Sequence, residues 1–424
     1  MLTVGDMLAL TAIDLDYKGQ GVCKPEGYVI FVAGLLVGES AEVIISKLNK
    51  NFGEGKMIKL LKISKDRTHD SSVLGSIELY HLSHQKQIEW QEKTTYETFK
   101  KIADLDIKIN ETLKDDRHVN YRNKSVFHVL PEPTLKLGLY QIDYTLVQVP
   151  LFILSDTLTN KFVNYINRIN VPIDADVLKH VVFRTNEENE ILITFVATNL
   201  EVEGLDKLVD KLAREKEVVG ITLNIKPSDK QILGHESHVL YGMNAITQKL
   251  KLFDVMIDDR SFFQVNGPMM RLVYEKIAEH VKTGQHVVEA YSGIGSIGYA
   301  IYNQVKSLVM IEASEDNVKM ATSIISEHHL TNITLVHDKA EVVIDQYEGD
   351  VLIVDPPRNG LFKTFVDKVM QMNFNKIIYL SCDLKTLARD IDMFKATYQI
   401  THVYPIRMFP QTISLETLVI LNKK

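Results

Sequence analysis

From about residue 250 onward the chain repeats one unit, an apolar run followed by a segment of helical periodicity. The apolar runs are His286 to Tyr291, Ser307 to Glu312, Ile333 to Val336, Val351 to Asp355 and Lys376 to Ser381. Strands separated by helices cannot pair as hairpins, so the pattern predicts a doubly wound, mainly parallel sheet. Such a sheet binds ligands outside the carboxyl ends of its strands. Glu289, Tyr291, Glu312, Asp355 and Cys382 all fall at or near those ends.

The preceding residues have a different texture. Residues 1–64 alternate apolar and polar positions in short runs, such as Tyr28 to Val32 and Ala41 to Ile45, punctuated by glycines at 19, 21, 34, 38 and 53. Short strands with regular turn signals predict a small OB-like β-barrel, a module that often presents a nucleic-acid-binding face. Lys47, Lys50 and Lys56 are its candidate phosphate contacts, with an ordinary solvated surface as the competing reading. Residues 65–250 mix strand-like pieces, such as Ile191 to Val196 and Ile221 to Ile225, with helices such as Leu205 to Glu215, and read as an α+β domain. Within them the segment 84–113 is helical by spacing, with Tyr96, Phe99, Ile102 and Ala103 on one expected core face that packs on the domain 251–424. Trp90 lies in the same segment and is expected to pack rather than to stack a base.

Composition narrows the function classes. With Cys23 and Cys382 as the cysteines of 424 residues, no disulfide framework, four-cysteine zinc site or all-cysteine cluster can be built. The histidine pairs His81/His84 and His328/His329 lack a metal-ligand pattern. The start has no basic region followed by a long apolar stretch, and no run approaches the ~18 apolar residues of a membrane span. A cytoplasmic protein is expected. The net charge of −7 argues against indiscriminate polyanion binding without excluding RNA, because local patches decide that contact.

The loop Gly293-Ile294-Gly295-Ser296-Ile297-Gly298 follows a strand and opens a helix, where backbone without Cβ atoms lets a ligand approach closely. Glu312 ends the next strand, placed to accept ribose hydroxyls. This combination serves nicotinamide and S-adenosylmethionine cofactors alike, so it indicates an adenosine-type cofactor without choosing between them. Asp355-Pro356-Pro357-Arg358 holds a strand-terminal carboxylate on a rigid turn, suited to accept an N–H from a planar substrate. Cys382 lies between a strand and a helix start, where N–H groups and the helix dipole favour thiolate. The competing reading is a buried thiol packed for its size.

Taken together, several segments resemble the RNA uracil-5-methyltransferase family. They are Ser261-Phe262-Phe263-Gln264-Val265-Asn266, Tyr291 to Gly295, Asp355 to Arg358, Ser381-Cys382 with Thr386 to Asp390, and Phe409-Pro410-Gln411-Thr412 leading to Leu415-Glu416. Tyr121-Arg122-Asn123-Lys124 and the glycine pattern of the first domain extend the resemblance over nearly the whole chain, and it identifies the opening barrel as a TRAM-type RNA-binding domain. The resemblance implies an S-adenosylmethionine-dependent enzyme with a Rossmann-like catalytic domain over 251–424. It implies Cys382 as nucleophile and Glu416 as proton acceptor, with Gln264, Tyr291, Gly293, Gly295, Glu312 and Asp355 around the cofactor. Asp355, Phe262 and Phe263 would meet the substrate, although each phenylalanine is expected first as a packing residue. Uracil C5 is a weak nucleophile, and thiol addition at C6 followed by loss of the C5 proton is the chemistry these residue types suit.

Many members of the family carry a four-cysteine iron–sulfur site between the barrel and the middle domain. The corresponding stretch here, 68–80, has no cysteine, so no cluster or other metal is expected, and Leu74 and Ile77 are expected to pack the junction instead. Ser414 stands two residues before Glu416, where the family often has histidine beside the acid. The expected substrate is a uridine of 23S ribosomal RNA, because tRNA-specific relatives generally lack the barrel, and the expected protein is a monomer. A tRNA methyltransferase is the alternative, and a non-catalytic RNA-binding factor is the rival from another class.

Overall fold

The computed structural model describes residues 2–72, 74–226 and 231–424. Six strands open the chain: β1 (Met7–Thr11), β2 (Asp14–Leu15), β3 (Gly21–Cys23), β4 (Val29–Val32), β5 (Ser40–Leu48) and β6 (Phe52–Lys62). They form one sheet in the order β1-β5-β6-β4-β3-β2. Its inward positions alternate along each strand, so Leu10, Ile30, Val32, Ala41, Val43 and Ile45 make a separate core. Cys23 belongs to that core, and burial pushes its thiol up to about 11, which makes it a packing residue.

The chain leaves this domain through an ion pair. Arg67 Nε and Nη2 each donate at 2.7 Å to the two carboxylate oxygens of Glu39, with side-chain exposures of 5% and 0%. Glu39 also accepts from the backbone N–H groups of Leu36 and Ser64, and Arg67 donates to the Gly34 carbonyl. Burial alone would raise the Glu39 carboxyl, but these bonds outweigh it and hold it below its ordinary value. Beyond the pair, Ile77 is buried in the core of the middle domain and Leu74 packs against it, as expected of the cysteine-free junction.

Helix α1 (His84–Ala103) follows and lies on the catalytic domain. It is shorter than its apolar spacing predicts, because Asp104 adopts a left-handed conformation with φ 52° and ends it. Residues after it run extended beside the last domain, where the N–H groups of Asn110 and Leu113 donate to the carbonyls of Val403 and Pro405. The predicted core face also divides. Phe99 and Ala103, one turn apart, are buried, whereas Tyr96 and Ile102 are 36% and 41% exposed. Trp90 packs, as expected, and its indole N–H donates to the Asp16 carbonyl of the barrel.

The middle of the chain contains β7 (Lys124–Val129), β8 (Leu137–Tyr140), β9 (Leu146–Gln148), α2 (Thr157–Arg168), β10 (Leu178–Thr185), β11 (Ile191–Ala197), α3 (Leu205–Leu212), β12 (Val218–Ile225) and β13 (Glu236–Gly242). The seven strands form a mixed sheet in the order β13-β12-β11-β10-β7-β8-β9. Apolar side chains of both helices and of the sheet, including Phe127, Phe162, Phe183 and Leu208, form its core. The hairpin β14 (Ala245–Lys249) and β15 (Asp254–Asp258) leads to the last domain.

That domain contains α4 (Gly267–Glu279), β16 (His286–Ala290), α5 (Ser296–Ile301), β17 (Ser307–Glu312), α6 (Glu315–Glu327), β18 (Ile333–His337), α7 (Ala340–Val343), β19 (Val351–Val354), α8 (Lys363–Gln371), β20 (Lys376–Ser381), α9 (Leu384–Phe394), β21 (Tyr398–Ile406) and β22 (Glu416–Lys423). The sheet order is β18-β17-β16-β19-β20-β22-β21. The five strands expected from the apolar runs are parallel neighbours, with a switch point at β16 and β19. The sequence reading stops at Ser381, whereas the sheet continues. β22 returns antiparallel between β20 and β21.

The ion pair at the barrel exit yields a stability prediction. Arg67→Ala leaves Glu39 buried without its cation, and a loss of about 3–5 kcal/mol is expected. Urea unfolding followed by far-UV circular dichroism measures it. An unchanged first transition would show that the pair does not hold the barrel to the rest.

Candidate active site

The carboxyl ends of β16, β17, β19 and β20 surround a cleft of about 530 Å³. Gln264, Tyr291, Gly293, Glu312, Asp355, Cys382, Glu416, Phe262 and Phe263 all line it. Among the described residues, Gly295 is the one expected member that does not. It precedes α5 with φ 93°, and a Cβ there would lie 2.4 Å from Met310 Cε and 2.8 Å from Tyr299 Cζ, so it serves packing behind the loop. Gly293 is different: φ is 59° and nothing stands within 4 Å of a Cβ position, so the backbone conformation is what asks for glycine there.

Cys382 and Glu416 come together through strand register. In the antiparallel pair β20/β22, Leu380 faces Leu418 and Ser381 faces Thr417. One further step along each chain reaches Cys382, just past the end of β20, and Glu416, the first residue of β22, and both line the cleft. Asp355 arrives on the other side of β20, one residue beyond the parallel pair Val354–Tyr379. Pro356 and Pro357 then turn the chain away.

The electrostatics of Cys382 differ from the expectation of a thiolate at a helix start. The backbone N–H groups of Lys385 and Thr386, which open α9, are taken by the carboxylate of the cap residue Asp383 at 3.0 and 2.9 Å. Burial raises the Cys382 thiol above its ordinary value, Glu416 and Asp355 add to the effect, and Arg358 opposes it. At rest the group is therefore a thiol.

Three acids at the floor share one cause and one direction. Burial lifts Asp355 to about 7, and burial together with the charge of Asp355 lifts Glu289 and Glu416 to about 8 each. Oε2 of Glu289, Oε2 of Glu416 and the hydroxyl of Tyr291 are buried without a hydrogen-bond partner. Unpartnered acceptors at the wall of a cavity are what a bound cation would satisfy, so this donor set fits a sulfonium cofactor. Glu312 has a second task. Its oxygens accept from the N–H groups of Gly293 and Ser314 at 2.8 and 2.7 Å, which ties the glycine loop to the end of β17.

The two phenylalanines part company. Phe263 is 3% exposed and belongs to the core of the catalytic domain, whereas Phe262 is 71% exposed at the cleft, so the packing expectation holds for the first and not for the second. Their loop is hung on the middle domain. Asn123 donates from its backbone to the Val265 carbonyl at 2.8 Å and from Nδ2 to the Gln264 carbonyl at 3.3 Å, and Arg184 Nη2 donates to the Ser261 carbonyl at 2.6 Å. The Phe409 to Thr412 segment is likewise a joint. Gln411, at φ 73°, accepts from Gln87 Nε2 and donates to the Gln87 and His118 oxygens, and the Tyr121 hydroxyl donates to the Pro410 carbonyl.

Sequence reasoning placed Glu289 near a ligand-binding strand end without giving it a role, and it passed over Tyr274. Glu289 carries a signal, a single charge inside the buried run of β16. Tyr274 carries none, because its position on the apolar face of α4 reads as core. Burial and the neighbouring Asp355, Glu289 and Glu416 hold its phenol well above the ordinary value.

Residues 147–424 match the model of the tRNA (Uracil-5-)-methyltransferase family, and residues 2–58 match that of the TRAM domain. A protein of Staphylococcus aureus strain N315, described as an uncharacterized RNA methyltransferase, is 31% identical, covering 99% of this chain and 98% of its own. One of Streptococcus agalactiae serotype V with the same description is 30% identical over 100% of both. The fold matches the crystal structure of Pyrococcus abyssi tRNA (uracil-54, C5)-methyltransferase in complex with S-adenosyl-L-homocysteine with a TM-score of 0.76, at 18% identity, covering 98% of this chain and 100% of that one.

The raised acids make stability depend on pH with a fixed sign. Each keeps a proton in the folded state that the unfolded chain releases, so stability falls as pH rises toward and through the folded value. Between pH 7 and 9 the ligand-free protein is expected to lose on the order of 1 kcal/mol for each acid near 8. Glu289→Gln should flatten the decline of the melting temperature over that interval in scanning calorimetry. A slope equal to that of the unaltered protein would mean that Glu289 is already ionised at neutral pH.

Proposed function

Because the chain belongs to the tRNA (uracil-5-)-methyltransferase family and carries a TRAM domain, we propose that it methylates C5 of a uridine in RNA through a covalent bond from Cys382 Sγ to uracil C6. It is an S-adenosylmethionine-dependent RNA methyltransferase. The observation that carries the finer reading is that Cys382, just past the last β20/β22 pair Ser381–Thr417, lines one cleft with Glu416 and Asp355.

S-adenosylmethionine supplies an electrophilic methyl group, and Gln264, Tyr291, Gly293, Glu312 and Asp355 are the residues proposed to hold it, with Glu289 as a further acceptor. Asp355 accepts the uracil N3–H, which cytosine lacks. As the site fills, Cys382 gives its proton to bulk water, helped by Arg358, and Sγ adds to C6. The electron pair of the C5–C6 double bond moves toward O4, so C5 becomes nucleophilic and takes the methyl group. Glu416, having released its own proton to solvent when the positively charged cofactor fills the site, removes the C5 proton, the double bond re-forms and Sγ leaves C6. The base must stand free of its stack to reach the cleft, and Phe262, exposed at the rim, is placed to stack on a displaced base.

For the substrate we propose 23S ribosomal RNA, with the barrel as the supporting feature. A specific observation favours tRNA as the second reading: the Pyrococcus tRNA enzyme matches 98% of this chain, so a chain of this layout is compatible with tRNA. Transfer of labelled methyl groups to protein-free 23S rRNA and to tRNA separates them, and labelling of tRNA alone rejects the ribosomal assignment.

RNA carrying 5-fluorouridine tests the chemistry, since fluorine at C5 cannot leave as a proton and the adduct persists. The unaltered protein is expected to form a denaturation-stable complex with that RNA and Cys382→Ala to form none. On ordinary RNA, Glu416→Gln should accumulate the complex and release product about 10²- to 10⁴-fold more slowly. An adduct formed by Cys382→Ala would sink the assignment of the nucleophile.

A further inference from the structure

A second cavity, of about 190 Å³, lies at the seam between the middle and catalytic domains, and Phe263 lines both it and the cleft. Tyr121, Asn123 and Thr185 come from the middle domain, and Gly267 and Arg271 from the start of α4. Phe263 is thus a wall that the two spaces share.

The chemistry of the walls selects an occupant. Arg117, Lys249 and Arg271 stand around the cavity, but each is held by an acid: Arg117 by Asp115 at 2.7 Å, Arg271 by Glu187 at 2.6 Å, and Lys249 by Glu188. Paired charges leave little net attraction for a phosphate. Instead the cavity offers an aromatic wall and amide groups, and Asn123 Oδ1 is buried with no partner. The start of α4 is open toward it as well, since a Cβ on Gly267 would meet nothing closer than Arg271 Nη1 at 3.7 Å and Glu187 Oε1 at 3.9 Å. A flat ligand with hydrogen-bonding edges and a stacking face fits such walls, and unpaired bases of single-stranded RNA are read in this way.

We propose that this cavity binds the base of a nucleotide next to the target uridine, with Phe263 as the partition between the two bases. The proposal rests on the reading of the cleft as a uridine site in RNA. It makes the enzyme recognise two splayed neighbours, so that sequence preference beside the uridine arises at the domain seam.

The test combines a plug in the protein with a gap in the RNA. Gly267→Leu, at a position of ordinary backbone conformation, fills the cavity without touching the cleft, and calorimetric binding of S-adenosylhomocysteine should stay within twofold of the unaltered protein. The RNA is a single-stranded oligonucleotide spanning the uridine that the labelling assay identifies, with an abasic residue on one side or the other. An abasic residue at one neighbour is expected to lower kcat/KM of the unaltered protein about tenfold, in keeping with one stacked base. Gly267→Leu should lower it by a similar factor on intact RNA and cause no further loss on that abasic RNA. If neither neighbour matters to the unaltered protein, or if plug and gap multiply, the subsite is overturned while the methylation reading stands. If the unaltered protein methylates no RNA, the functional reading falls and the subsite with it.

Discussion

The antiparallel return of β22 beside β20 is the constraint on which the catalytic proposal depends. A purely parallel sheet would bring strand ends to the cleft and nothing from the end of the chain. Insertion of β22 between β20 and β21 brings the first residue of a C-terminal strand, Glu416, to the level of the last residues of β20. Register then does the rest, because a shift of one residue would turn Glu416 to the opposite face. The buried, continuous pairing from Lys376–Asn422 to Ser381–Thr417 holds that register.

The price of the arrangement is electrostatic. Burial raises Glu289, Asp355 and Glu416 at one low-dielectric floor, the charge of Asp355 lifts the other two further, all three add to the rise of Tyr274, and Asp355 and Glu416 add to that of Cys382. None of the three acids is relieved by a salt bridge among the described residues. A cationic ligand relieves them together, which strengthens every interaction inside the site at the moment it is filled. The protonated resting thiol fits the same logic, since a free thiolate would be exposed to oxidation while a thiol activated on filling would not.

The domains are joined by polar contacts as well as by a small apolar cluster of Leu15, Leu36, Leu79, Leu82, Trp90 and Ile413. Arg67–Glu39 ties the linker to the barrel, Gln87 and Gln411 tie α1 to the loop before β22, and Asn123 and Arg184 hold the Ser261 to Val265 loop to the middle sheet. One of these joints, Asn123 to the Gln264 carbonyl, ends at a residue of the cleft. Buried polar joints of this kind demand a defined geometry, so the middle domain positions the loop that carries Phe262 and Gln264.

The parallel strands, the glycine loop, the acid of β17, the Asp355 turn and Cys382 were legible in the sequence, because strand–helix alternation places strand ends together whatever the side chains do. The exposed and buried halves of the Tyr96 to Ala103 face were not, since periodicity names a stripe and only its partner helix decides the width. Nor was the state of Cys382, because Asp383 claims the helix N–H groups and two acids from other strands supply the charge. Tyr274 entered the site only through packing, and Glu289, legible near a strand end, received its role from burial. Sequence by itself thus determined which chemical groups lie at strand ends, a matter of local order along the chain. The tertiary structure decided which of them meet and with what charge, because proximity and burial are properties of strands brought together from far apart.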